Sequence, residues 1–152
     1  MIIEISNRQS EVPIRIAHFE KLIQRMLAYL NMTEGEISVA FVDNQAIAEL
    51  NWEFLEHEGP TDIITFPLSD PGVQILEAEL VISAPWAAEV AARNGDQVDD
   101  ELALYLAHGL LHLRGQDDIQ PEDALEMRRQ ELELLKALEL AIPRNRFESV
   151  EG

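Results

Sequence analysis

Between Leu102 and Leu113 apolar side chains occupy nearly every side of a helix: Leu102, Leu104, Leu106, Leu110, Leu111 and Leu113 leave no broad face for water. A helix of this kind has to be enclosed, and the rest of the chain must supply the enclosure. Asp99 or Asp100 starts it and Gly115 ends it. The 152 residues, 47% of them hydrophobic, are enough for one domain with one core.

The wrapping elements are read from periodicity. Ile2, Ile3 and Ile5 predict a first strand. After Pro13, the set Ile16, Phe19, Leu22, Ile23, Met26, Leu27 and Leu30 falls on one helical face. Ile37, Val39 and Phe41 alternate as a strand; Asp43 caps a helix with Ile47, Leu50 and Phe54 facing inward. Two more strands are expected, at Ile63–Phe66 and at Leu80–Ile82, joined by a loop around Pro71 and Gly72. Pro85 suits the first turn of a helix reaching Arg93, with Gly95 punctuating. Gln120 and Pro121 start a helix running to about Leu140. The expectation is an α+β domain over residues 1–142, with a small mixed sheet of about four strands and five or so helices. Residues 143–152 are expected as a flexible tail.

The buried helix ends in His108-Gly109-Leu110-Leu111-His112-Leu113-Arg114-Gly115-Gln116-Asp117-Asp118. Histidines four residues apart share one face, so both imidazoles can reach a single ion from successive turns. Gly115 turns the chain back and offers a third ligand, Asp118 ahead of Asp117. Two histidines and a carboxylate leave zinc an open position for water. The chain has no cysteine, so any metal is held by nitrogen and oxygen. A zinc peptidase helix carries Glu after the first histidine as general base; Gly109 stands there instead. His18, on the first helix, reads as surface or filling.

A second cluster, Leu50-Asn51-Trp52-Glu53-Phe54 followed by Pro60-Thr61-Asp62 and a strand ending in Phe66-Pro67, reads locally as a helix end and a turn held by Asp62. With the histidine segment, however, it resembles one family, the YbeY endoribonucleases, over roughly Ile37 to Leu134. Fourteen positions carry the likeness: Leu50, Asn51, Pro60, Thr61, Asp62, Phe66, Pro67, His108, Gly109, Leu111, His112, Leu113, Gly115 and Asp117. The resemblance implies an α+β fold holding one zinc ion per chain. It also implies a hydrolase that cuts single-stranded ribosomal RNA in small-subunit maturation and ribosome quality control. His108 and His112 inherit ligand roles.

There are two departures. Asp118 stands where the family has a third histidine, bringing a negative charge to the metal. Leu55 stands where the family has an arginine for the phosphate, and leucine cannot pair with a phosphate. The family's Gly-Asp before its last strand is Ala78-Glu79 here. Arg114 and His57 remain as candidate catalytic cations, Asp117 as an orienter of a ligand histidine, and Thr61 and Asp62 as cleft residues. No residue is identified as general base.

Charge bears on the partner. Eleven Lys and Arg against 29 Asp and Glu leave a net charge of −18, and the stretch between Arg25 and Arg93 has no Lys or Arg. A broad phosphate-tracking groove is therefore disfavoured, and contact with the ribosome or a basic ribosomal protein is favoured. The alternatives are a zinc hydrolase of a smaller substrate and a non-catalytic ribosome-associated protein with weak or absent metal. No apolar run is long enough to span a membrane, and Met1 to Gln9 lacks the features of a signal peptide, so a cytoplasmic protein with no membrane partner is expected.

Overall fold

The computed structural model describes residues 1–70 and 75–151. Four strands and six helices follow in the order β1 (Ile2–Asn7), α1 (Ile16–Tyr29), β2 (Gly35–Val42), α2 (Asn44–Leu55), β3 (Ile63–Pro67), β4 (Leu76–Ser83), α3 (Ala84–Asn94), α4 (Val98–Leu113), α5 (Pro121–Ala137) and α6 (Glu148–Glu151). The α+β expectation is met. The sheet order is β1-β2-β4-β3, with β1, β2 and β4 mutually parallel and β3 antiparallel to β4. The loop expected around Pro71 and Gly72 lies outside the described residues.

Alternation along β2 and β4 divides the side chains between two faces. Ile37, Val39 and Phe41 join Ala78, Leu80 and Ile82 in the main core, with α1 and α4 packed on that side. On the other face Ala40, Val42, Ile64 and Val81 form a smaller cluster with Ile47 of α2, and Ala46, Leu50 and Phe66 pack at its margin. β4 extends four residues before the expected Leu80. Glu77 and Glu79 interrupt its apolar run, yet the backbone pairs with β2 throughout, so sheet pairing overrides composition there.

α4 is enclosed as its composition demands: Leu102, Leu104, Leu106, Leu110 and Leu111 are all buried. Gly109 is what lets it lie close to the sheet, because a Cβ at that position would sit 2.7 Å from Ile63 Cδ1 and 3.2 Å from Leu80 Cδ2.

Several expectations need correcting. Phe54 is exposed, not inward: it lies in the last turn of α2, outside the cluster that Ile47 and Leu50 join, and its ring meets that of Phe66 nearly at right angles with centroids 5.4 Å apart. Ile16 is likewise exposed, at the first residue of α1, before the helix reaches the core. α5 stops at Ala137 rather than near Leu140, because Glu139 takes a positive φ and Leu140 N–H closes back on the Leu135 carbonyl. The segment after Pro143, expected to be loose, is anchored: Arg144 N–H donates to Asp96 Oδ2 and Asn145 Nδ2 to Asn94 Oδ1, each at 3.0 Å, Arg146 pairs with the buried Glu101 at 2.7 Å, and Phe147 is 2% exposed in the main core. Burial of one aromatic ring and one ion pair gives this stretch the tertiary contacts that a free tail lacks.

Candidate metal centre

The C-terminal end of α4 is built by a Schellman closure. Gly115 N–H donates to the His112 carbonyl and Gln116 N–H to the Leu111 carbonyl, with Gly115 at φ +115°. That conformation belongs to glycine, and it sends the next residues back past the helix end. Asp117 then fixes the loop, its Oδ1 accepting from the backbone N–H groups of Asp118 at 2.7 Å and Ile119 at 3.3 Å. Gln116 is held as well, donating to the Asp117 and Asp123 carbonyls and accepting from Gln130 Nε2.

This loop delivers Asp118 to His108. Asp118 Oδ2 lies 3.3 Å from His108 Nε2. Two ligands on a tetrahedral zinc with bonds of about 2.0–2.2 Å are separated by about 3.3–3.6 Å, so this pair already has ligand spacing. His112 lies one turn on, its ring parallel to that of His108 with centroids 6.3 Å apart. The shared face is therefore present, while the rings do not converge on a point. Among the described residues no group of three His, Asp or Glu side chains is gathered as a cage.

Two imidazoles and a carboxylate are nonetheless donor types that zinc takes, and the far side of the His112 ring suits the role. His112 Nδ1 meets the Gln116 carbonyl at 2.9 Å. A carbonyl only accepts, so Nδ1 carries the hydrogen and Nε2 keeps its lone pair for a metal. His108 Nδ1 faces Glu131 Oε1 of α5 at 3.4 Å, and Glu131 is fully buried. Burial is the largest influence on His108 and works to lower its pKa. The hydrogen bond and charge of Glu131, then the charges of Asp62 and Asp118, outweigh it and hold the imidazole above its ordinary value.

Asp62 enters from the start of β3. Its Oδ1 accepts from Ile63 N–H at 2.7 Å and Thr61 Oγ1 at 3.2 Å, and its carbonyl accepts from Ser83 N–H. Thr61 and Asp62 thus form one stiff turn whose charge reaches His108. Asn51, 5% exposed, donates from Nδ2 to the Gly59 carbonyl and so ties α2 to the loop leading into that turn. His57 is exposed on the same loop, and Arg114 is exposed at the end of α4.

Two residues were missed in the sequence. Glu131 had a readable signal: it sits four residues after Met127 and before Leu134 and Leu135, an acid on the buried stripe of α5. Gln116 acts through its backbone carbonyl, and side-chain identity carries no signal for that. The partner of a histidine ring, assigned in the sequence to Asp117, is Glu131 for His108 and Gln116 for His112, while Asp117 holds the loop.

A protein-family model described as Endoribonuclease YbeY matches residues 4–139. The chain is 34% identical over 140 residues to an Endoribonuclease YbeY of Syntrophus aciditrophicus, covering 88% of each chain. It is 36% identical over 139 residues to that of Carboxydothermus hydrogenoformans, covering 90% of this chain and 97% of the relative. In fold it is similar to the solution structure of a Thermotoga maritima protein, with a TM-score of 0.59 at 23% identity over 91% of this chain and 92% of that one.

Proposed function

Because the chain belongs to the YbeY endoribonuclease family, we propose that it is a zinc-dependent, single-strand-specific endoribonuclease acting in small-subunit ribosomal RNA maturation and ribosome quality control. The observation that supports this most is the 3.3 Å approach of His108 Nε2 and Asp118 Oδ2, with His112 on the next turn of the same face.

In this reading His108 and His112 hold the ion through Nε2 and Asp118 through its carboxylate. When bound, zinc supplies Lewis acidity that polarises a phosphoryl oxygen and acidifies water. The protein's part is arrangement. The Gly115 closure and the Asp117 turn hold Asp118 in place, and the Gln116 carbonyl orients His112. Asp62, on its locked turn, adds negative charge beside His108. Arg114, exposed in the ligand segment, is the cation offered to a phosphate, with His57 as the second candidate.

Charge shapes the substrate side of the reading. At a net −18, RNA is held by few contacts, and a basic ribosomal protein is the better long-range partner. Among the described residues no helix is long and apolar enough to cross a membrane. The compartment we propose is the cytoplasm, where ribosomes are made.

Metal analysis of protein purified without a histidine tag tests the centre: one zinc per chain is expected, and His112→Ala should abolish stoichiometric binding together with cleavage of single-stranded RNA. Full metal retention by that variant would remove the site. Zinc binding without any RNA cleavage would favour a smaller substrate, or a binding protein. Leu55, 47% exposed on α2, tests the substrate. Leu55→Arg should raise RNA cleavage about ten- to a hundredfold if its guanidinium reaches the phosphate, as charged hydrogen bonds of roughly 1.5–3 kcal/mol allow. Leu55→Gln, polar but uncharged, should leave the rate as it is.

A further inference from the structure

Beside α2 the outer face of the sheet is left open, and it carries an apolar cavity of about 280 Å³. Leu50 and Phe54 of α2 wall it on one side, and Phe66 of β3 with Leu68 just beyond it on the other; Phe54 and Leu68 are both exposed. A second cavity, of about 400 Å³, lies over β1 and β2, and the two share Arg8, Ala40 and Glu79 as lining. Together they make one groove across the sheet. Strand register explains its course: Glu4 stands beside Ser38, Ser38 beside Glu79 and Glu79 beside Phe66, a single row of side chains over all four strands.

The groove is acidic where it is not apolar. In the adjoining row Glu36 and Glu77 are register partners, so like charges stand side by side on strands about 4.8 Å apart. Such a placement works against folding. Among the described residues none of Glu4, Glu36, Glu77 and Glu79 pairs with a Lys, Arg or His. Arg8 is the only cation lining either cavity. A phosphate chain is repelled here, and so is a second copy of a chain whose net charge is −18. A cationic partner relieves the repulsion on contact, and the exposed apolar cavity beside the acids gives it surface to bury.

We propose that this groove docks a cationic segment of a partner protein, with one apolar side chain seated between Phe54 and Leu68 and basic side chains set against Glu79 and Glu4. The row spans three strand spacings, about 14 Å, which about four or five residues of an extended segment cover. The site lies on the sheet face opposite α4, apart from the candidate metal centre, and goes beyond the nuclease reading: it holds whether or not zinc is bound.

The test uses the full chain and a short fluorescein-labelled peptide in which lysine alternates with serine and a tryptophan and a leucine close the sequence. Anisotropy titration should show saturable binding that weakens as salt rises. Glutamate in place of the lysines, or serine in place of the apolar pair, should remove most of it. Leu68→Ser takes away an apolar wall and should weaken binding about tenfold. Glu77→Gln combined with Glu79→Gln should weaken it several-fold, flatten the salt dependence and leave the urea midpoint no lower than in the wild type.

Equal binding by the wild type and by both variants would overturn the docking site, since a polycation drawn by net charge alone needs no groove. So would a wild type that ignores the peptide. Amide NMR of the wild type locates the peptide even if a variant fails to fold: shifts gathered on Ala40, Val42, Phe66 and Glu79 support the site, and shifts gathered elsewhere overturn it. A labelled oligouridylate that moves those same amides would overturn it as well, by giving the groove to RNA.

Discussion

Glu101 and Glu131 are both fully buried and both paired with arginine, yet they stand in different company. Glu101, in the first turn of α4, meets Arg146 at 2.7 Å, and one atom of each, Oε1 and Nη2, is buried without a hydrogen-bond partner among the described residues. Glu131, in α5, divides itself between Arg128 and the imidazole of His108. The first carboxylate closes the C-terminal segment onto the core; the second reaches the candidate metal centre. Glu101 is shared with the phenol of Tyr105, whose pKa burial and then Glu101 raise, whereas Glu131 is shared with the imidazole of a candidate metal ligand, so only the second bears on the chemistry of that imidazole. Arg128 joins the two regions, since its guanidinium lies 5.8 Å from the Phe147 ring centroid, next to Arg146 in the chain.

The largest effect is expected from Glu101→Ala, which breaks the structural side of the comparison. It leaves Arg146, whose side chain is 16% exposed, without its anion. Removing one partner of a buried pair costs roughly 3–5 kcal/mol, so the urea midpoint should fall while the zinc affinity of the folded protein stays as it was. A parallel loss of zinc affinity would erase the difference between the two glutamates.

Gly115→Ala acts on the other side. An alanine forced to the φ of +115° at that position costs about 1–3 kcal/mol of strain. Because Gly115 lies between His112 and Asp118, the strain should appear in zinc affinity as well as in stability, in contrast to Glu101→Ala. Denaturant unfolding and chelator competition on the same sample separate the two. The smallest effect is expected from Asp117→Ala. It frees the backbone donors of Asp118 and Ile119, each bond contributing about 0.5–1.5 kcal/mol. On an exposed loop this should weaken zinc binding several-fold and leave the melting temperature nearly unchanged.

Much of the architecture was legible because it is local. The apolar run of α4, the capping oxygen of Asp43 on Ala46 N–H, the alternation of β2 and the turn at Gly115 each depend on residues within a few positions of one another. The inward side of α2 was misread at Phe54 because periodicity shows which residues share a face, and cannot show how far the opposing sheet extends. Within the site, the i, i+4 histidines and the return of Asp118 were legible for the same local reason. Glu131 was not, since its partner lies 23 residues away.

By itself the sequence determined that this chain would enclose one apolar helix in an α+β domain, and that two histidines would share a face at that helix's end. Hydrophobic period and glycine geometry are properties of short stretches, and they suffice for that. Only the tertiary structure decided that β4 would lie between β2 and β3, that Arg146 and Phe147 would dock on the core, and that Glu131 would stand behind His108. Those outcomes depend on which distant groups can satisfy one another once water is excluded. A buried charge finds its partner in space, and spacing along the chain does not encode that choice.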